Sequence, residues 1–472
     1  MTDVNTCPVD HTQFAALAGA GESAPIPGTH DRYGVATAVN TKRNGLLHVV
    51  EQLWREHGDI SELQVGSRRI VVLAHPDHVR MVTLEQMDKY TKGASYDPVR
   101  KYWMGDGVAT SVGAQWKSQR QVLAPFFTPK SVREYVPLFF DDVRWFSARW
   151  TPDSMGSEPV DMVPEMATLT ASILLKTLFS TAGRDVIAQL KGAVETMIRY
   201  TSGRNTDRFK APEWFPTAGR RDYDEARKRV DDFILGVIAE RRRMPVEERP
   251  ADLLTKMIVN EDKLGPADQV DQLLRDQCVT MFIAGYETTA RTLAFVWYLL
   301  ANNPEVAVKL RAEVDALPED FTVEDLDRAP YSLGVIKESL RLHPPAPIYL
   351  RDVVEPVRIG PHVAPAGSIV VLAPYLTHRH PEFWTDPDKF DPERWAGGAE
   401  RGMHPFAFHP FSAGPRVCIG RSFAYLESQI LLVTLARLFA PERVPGYAPK
   451  WRMRGVLGPE GGMPMIIRRR AK

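Results

Sequence analysis

The stretch from Cys278 to Ala301 is the most apolar of the chain and long enough to span a bilayer, yet Glu287 and Arg291 stand near its middle. Each charge costs about 2.5–3.5 kcal/mol at a bilayer centre. A long helix buried in protein is the better reading, and it needs a large helical body around it. The flanking sequence supplies one. From Val132 to Ala316 the pattern is almost wholly helical, with loops predicted at Pro152 to Pro159, Pro212 to Gly219 and Pro245 to Pro250. Upstream, Leu46 to His57 closed by Gly58 reads as a helix with a glycine C-cap. Ser61 to Val65 and Ile70 to Ala74 flank Gly66-Ser67 as a small hairpin, and His75-Pro76-Asp77 opens another helix. Beyond Pro344 come short strands (Ile369 to Leu372), proline-studded loops, a last helix from about Ile419 to Leu438, and a closing pair of strands, Val456 to Leu457 and Met465 to Ile467.

The predicted class is mainly α with a smaller β region. At roughly 150 residues per domain, 472 residues suggest about three domains. No glycine-serine linker or internal repeat divides the chain, so one large domain (29–472) after a flexible polar arm (1–28) is expected. Fifty-nine basic and 59 acidic residues give zero net charge, which excludes a protein built mainly to bind nucleic acid and leaves room for a local basic patch. Three cysteines, Cys7, Cys278 and Cys418, cannot build a disulfide framework and suit the reducing cytoplasm. Met1 to Asn40 holds acidic residues and no long apolar run, so neither a signal peptide nor a membrane anchor is expected.

Cys418 lies at the mouth of the last helix, after a loop shaped by Gly414 and Pro415. Unpaired N–H groups, the helix dipole and nearby Arg416 favour a thiolate there. Alone, the residue reads rather as a buried structural cysteine. The surrounding pattern changes the balance: Phe411-x-x-Gly414-x-Arg416-x-Cys418-x-Gly420 resembles the haem-binding signature of the cytochrome P450 family. The resemblance implies the P450 fold, with haem b between a long central helix and the cysteine loop. It also implies Cys418 as the iron ligand, Phe411 beside the sulfur, Gly414 permitting the close turn, and Arg416 on a haem propionate.

Three further segments fit in order. Glu338 and Arg341, at i and i+3, can pair on one helical face; alone this is a surface ion pair. In the family such a Glu-x-x-Arg joins an arginine behind the haem, here Arg394 of Pro392-Glu393-Arg394-Trp395, with tryptophan in the usual phenylalanine position. Ala284-Gly285-Tyr286-Glu287-Thr288-Thr289 is similar to the oxygen-activation segment. Ala284 leaves room for haem and dioxygen, and Glu287 and Thr288 form an acid-alcohol pair that can relay protons; a threonine there can instead bond back to the i−4 carbonyl. Trp116 and Arg120, at i and i+4, read alone as a stacked pair, whereas the resemblance places both, and Arg351, on the propionates.

By similarity the substrate pocket is lined by Thr280, Ile283, Ala284, Ala346, Ile348 and the Gly105 to Ala109 loop, nearly all apolar. Ala109 implies room for a terpenoid, macrolide or steroid skeleton. Arg68, beside Arg69 after a tight turn, is a solvated arginine or a carboxylate anchor. The implied activity is monooxygenation of an apolar small molecule: hydroxylation or epoxidation of a terpenoid, fatty acid, steroid or polyketide. Rivals are a peroxide-driven peroxygenase, a redox-neutral rearranger and a non-enzymatic haem-thiolate sensor; the intact Glu287-Thr288 pair argues against sensor and peroxygenase. No dinucleotide fingerprint is present, so electrons are expected from a separate ferredoxin or flavodoxin with its reductase. An acidic carrier would dock near Lys117, Lys130, Arg133 and Arg421.

Overall fold

In the computed structural model, residues 24–150, 158–181, 184–206, 212, 215 and 217–470 are described. In chain order the helices of ten residues or more are α1 (Val35–Asn44), α2 (Leu46–His57), α3 (Gly113–Leu123), α4 (Val136–Arg149), α5 (Met162–Phe179), α6 (Arg184–Thr206), α7 (Ala218–Arg243), α8 (Val270–Asn302), α9 (Pro304–Asp315), α10 (Pro330–Leu342) and α11 (Arg421–Leu438). The apolar run lies inside α8, whose charged interruption is sheltered by protein. Its neighbour α5 packs so closely that a Cβ on Gly285 would press on the Leu174 side chain, and the Thr170 hydroxyl of α5 donates to the Tyr286 carbonyl at 2.9 Å. Among the described residues, α5 itself is the one helix long and apolar enough to cross a membrane, and 72% of it is buried inside the protein.

A six-stranded sheet covers one side in the order β1 (Gly28–Asp31), β2 (Ile60–Val65), β3 (Arg68–Leu73), β9 (Ile369–Leu372), β6 (Tyr349–Val353), β4 (Tyr90–Thr91). The hairpin of β2 and β3 forms as the alternation suggests, with Val65 opposite Arg68 around Gly66 (φ 60°). Residues 24–28, assigned to the arm by sequence, join the fold: Ile26 is buried and β1 runs parallel to β2. The predicted loop at 152–159 falls mostly outside the described residues. The two closing strands form but do not pair with each other. β12 (Val456–Pro459) pairs with β11 (Trp451–Arg454), while β13 (Pro464–Arg469) pairs with β10 (Phe439–Arg443) and β5 (Val160–Asp161). Gly461 and Gly462, both at positive φ, turn the chain from one sheet into the other. A small ribbon of β7 (Val357–Ile359) and β8 (His362–Ala364) completes the strands.

Glu338 and Arg341 are not a surface pair: both side chains are 0% exposed. Arg341 Nε and Nη2 donate to the two Glu338 oxygens at 2.9 and 2.8 Å, Arg394 Nε donates at 3.3 Å, and the Asp391 N–H at 3.0 Å. Trp395 is more than a phenylalanine substitute, because its indole Nε1 donates to Glu338 Oε2 at 3.0 Å. The remaining Arg341 donors reach the carbonyls of His378, Pro387 and Lys389. A bond to a charged group contributes about 1.5–3 kcal/mol. Trp395→Phe is accordingly expected to lower the unfolding free energy by about 1.5–3 kcal/mol in urea titration, and an unchanged midpoint would contradict the assigned bond.

Candidate active site

The loop before α11 is fixed by its own backbone. The Cys418 N–H donates to the Phe411 carbonyl at 2.8 Å, and the Val417 N–H to Gly414 O at 3.0 Å. Gly414 has φ 67°, and a Cβ there would overlap the Thr83 carbonyl oxygen. The Phe411 ring stands edge-on to Tyr425 at 5.0 Å. The helix proper begins at Arg421, two residues later than the pattern indicated, with Gly420 as its cap. Burial pushes the Cys418 thiol up; the Gly420 N–H, Arg120, Lys92 and Arg421 act in the opposite direction. Arg416, expected to supply that charge, stacks instead on Trp116 at 4.2 Å and donates to the Ser111 carbonyl at 3.0 Å.

Three positions break the burial pattern. Cys418 is exposed although it sits deep among side chains, and Ala284 and Ala346 are exposed between buried neighbours. Ala284 lies in the middle of the packed helix α8, Ala346 in the segment after α10 and Cys418 in the loop before α11. Ile283 and Ile348 are buried and Ala109 is half-buried. Thr280 is turned to the neighbouring loop, its hydroxyl donating to the Met104 carbonyl at 3.4 Å.

Beside the cysteine loop four cations gather: Lys92, Arg120, Arg351 and Arg416. Lys92 Nζ donates to the Ala109 carbonyl at 2.7 Å and lies 4.7 Å over the Tyr96 ring. Arg351 Nη1 donates to its neighbour's carbonyl, Leu350 O, at 2.7 Å. One Arg416 nitrogen, Nη1, is buried without a partner. Burial, Arg351 and Arg416 depress Lys92, and burial with Arg351 brings Arg416 down to about 10. Other buried arginines are neutralised: Arg241 by Asp252, Arg275 by Asp231 and Asp276, Arg341 by Glu338. Among the described residues no carboxylate is paired with any of these four. Such a cluster is complementary to an anion. Lys92 escaped the sequence reading because it stands in no motif.

On α8, Thr288 Oγ1 donates to the Ala284 carbonyl at 2.6 Å, the back-bond that its spacing permits. Glu287 is 12% exposed and 3.5 Å from Arg291 Nη2. Burial pushes its carboxyl up, Arg291 opposes this, and Glu195 of α6 reinforces it. Also unforeseen is Glu427 of α11: buried, pushed well above the usual carboxylate range by desolvation, and with its Oε1 left without a hydrogen-bond partner. A glutamate at helical spacing among apolar residues carries no outward signal of this burial.

Away from these residues, Arg69 is bound to buried Glu62, its Nη2 donating to Oε2 at 2.8 Å, while Arg68 is exposed at the turn. Lys117, Lys130, Arg133 and Arg421 are all exposed. Arg133 and Arg421 border a cleft of about 720 Å³ that Lys337, Asp327 and Glu400 also line, so this face is of mixed sign.

Residues 25–463 match the family model for cytochrome P450. A cyclooctat-9-en-7-ol 5-monooxygenase from Streptomyces melanosporofaciens is 33% identical over 396 residues, covering 83% of this chain and 84% of the relative. Human cytochrome P450 4F8 is 31% identical over 408 residues, 81% of this chain and 78% of its own. The crystal structure of the cytochrome P450DA heme domain superposes with a TM-score of 0.84 at 26% identity, covering 95% of this chain and 98% of that one.

Gly414 carries a sharp expectation, since both its φ and the Thr83 oxygen exclude a side chain. Gly414→Ala should cost roughly 1–3 kcal/mol in strain alone, read by chemical denaturation; an unperturbed midpoint would mean that the loop is not held as described.

Proposed function

The chain belongs to the cytochrome P450 family, and from that premise we propose that Cys418, Glu287 and Thr288 carry its monooxygenase chemistry on an apolar substrate. The family implies haem, and the residues present fit it: an accessible cysteine sulfur, the small Ala284, and four cations lacking an anion. In this reading Cys418 holds the iron of haem b, while Lys92, Arg120, Arg351, Arg416 and Trp116 hold its propionates. When bound, the haem supplies the binding and reductive activation of dioxygen. The single observation that carries the assignment is the unpaired Arg416 nitrogen, within a cluster that has no paired carboxylate among the described residues.

The protein's part is proton management and positioning. Thr288 spends its hydroxyl proton on the Ala284 carbonyl, so its oxygen is left to accept a hydrogen bond and fix a donor near the reacting oxygen. Glu287, with its carboxyl pushed up and Arg291 at its edge, holds a proton at a pH where an exposed glutamate would have lost it. One atom of dioxygen enters the substrate and the other leaves as water. Two electrons come from a separate ferredoxin or flavodoxin with its reductase, docking over Lys117, Lys130, Arg133 and Arg421. Two similar proteins from Streptomyces melanosporofaciens are named for cyclooctatin-related steps; together with Ala109 and the apolar wall, this supports a terpenoid or fatty-acid substrate. Work in the cytoplasm belongs to the same proposal.

The ligation is tested by reducing the protein under carbon monoxide: the wild type should give the thiolate-type Soret shift and Cys418→Ala should lose it. A shift retained in the variant would reject Cys418. Glu287 donates only while protonated, so product formed per electron pair should fall as pH rises through its raised pKa. Glu287→Gln should flatten that dependence and lower the product yield by roughly a hundred-fold, the low end for a positioned acid; an unaltered pH profile would dismiss the role.

A further inference from the structure

Arg291 stands one turn beyond Glu287 on α8, outside every motif, and its guanidinium lies between two neighbours. On one side Nη2 approaches Glu287 Oε1 at 3.5 Å, a range at which charge counts for more than hydrogen-bond geometry. On the other lies the buried backbone of Gly458 in β12, where a Cβ would come within 2.8 Å of Nη1 and 3.1 Å of the guanidinium carbon. Gly458 is not among the glycines at positive φ, so its missing side chain serves this contact rather than a turn. The hairpin of β11 and β12 is itself pinned. The Leu457 N–H donates to the Pro345 carbonyl at 2.9 Å, next to Ala346, and the Glu460 N–H to Lys450 O at 2.8 Å. The acid at the hairpin's end, Glu460, is engaged by Arg452 Nε at 3.4 Å, which leaves Arg291 to Glu287.

The charges that face this pair from another element come from α6. Glu195, exposed, favours the proton on Glu287 while Arg291 opposes it. Lys191 and Arg199 stand one turn to either side of Glu195, the first tied to Pro164 O and Thr168 Oγ1, the second to Thr196 Oγ1. From α5, the uncharged Leu174 and Thr170 meet the neighbouring Gly285 and Tyr286. Burial with Glu287 and Glu195 pushes the Tyr286 hydroxyl well up, which keeps it neutral. Glu287 thus sits between a cation of its own helix and an exposed carboxylate of α6. A glutamate one turn before an arginine is the favourable order on a helix, yet such a pair is loose when it stands in solvent. Here the Gly458 backbone restricts where the guanidinium can go.

We propose that Arg291 is a positioning residue: clamped between the Gly458 backbone and the Glu287 carboxylate, its guanidinium ties the proton donor of α8 to the C-terminal hairpin. This rests on the reading above that Glu287 supplies protons, and the test addresses the carboxyl itself. In urea titrations of the haem-loaded protein over a pH series, the stability difference between wild type and Glu287→Gln reports the titration of Glu287. A carboxyl raised in the fold stabilises at low pH, and that contribution is lost as pH rises through its folded pKa. Arg291→Gln, cycled against Glu287→Gln, should move this loss up by about one pH unit, the low end for an opposite charge removed at such range. Arg291→Lys should restore the wild-type midpoint. Gly458→Ala should shift it upward as Arg291→Gln does, by displacing the guanidinium, and Glu195→Gln should shift it down. An unmoved midpoint in Arg291→Gln, with stability lowered equally at every pH, would overturn the tie and leave Arg291 a packing residue. A shift in Arg291→Gln with none in Gly458→Ala would overturn the clamp by the hairpin. Product yield decides a separate point: a moved midpoint beside a yield indifferent to Glu287→Gln would dismiss the acid role of Glu287 and leave the tie standing.

Discussion

The Glu338 carboxylate organises the half of the molecule that carries the cysteine. Five donors converge on its two oxygens, from Arg341, Arg394, Trp395 and the Asp391 backbone. Arg341 passes the constraint on: beyond its grip on three carbonyls, its own carbonyl meets His378 Nδ1 at 3.2 Å, and His378 Nε2 accepts the His409 N–H at 2.9 Å. His409 Nδ1 in turn meets Tyr349 Oη at 3.2 Å, just before the loop that begins at Phe411. Burial holds both histidines neutral, His409 at about 3, so each ring can accept as well as donate. Because the pair is dry and fully bonded, removing one member leaves a charge unpaired rather than merely subtracting a contact. The cysteine loop inherits its position from this centre through His378 and His409.

The motifs were legible because each joins residue types with one sensible geometry: Gly414 where only glycine fits, Glu338 and Arg341 one turn apart, Ala284 where α8 must be thin. The element boundaries also followed from simple signals, such as Gly58 ending α2 at positive φ. The illegible parts were relations between distant segments. Nothing near Arg416 indicates that it, rather than Arg120, stacks on Trp116. Nothing in the spacing of β12 and β13 indicates that each finds its partner in a different sheet. Glu427 and Asp276 look like surface helical acids until tertiary packing buries them, because helical periodicity reports a face and not what covers it.

Zero net charge conceals two opposite local solutions to the burial of ions. At Arg241, Arg275 and Arg341 the fold supplies its own counter-ions. At Lys92, Arg120, Arg351 and Arg416 no carboxylate among the described residues does so, and burial together with the neighbouring cations depresses Lys92 and Arg416. A cluster of that kind is unfavourable to the fold alone and favourable beside an anion.

The same physics divides α8 along its length. Its upstream third carries Asp276, Gln277 and Thr280, all engaged by the 104–108 backbone. Eight residues beyond Thr280, about 12 Å along the helix axis, stands Thr288, next to the half-buried Glu287. Between them Gly285 lies against Leu174, and Thr170 holds the Tyr286 carbonyl. A rigid-body shift of α8 would have to break this dry contact with α5, whereas rearrangement of the loop needs only its own polar bonds to change. Gly285 and Thr170 therefore anchor α8 between the segment that holds the 104–108 backbone and the segment that carries Glu287 and Thr288.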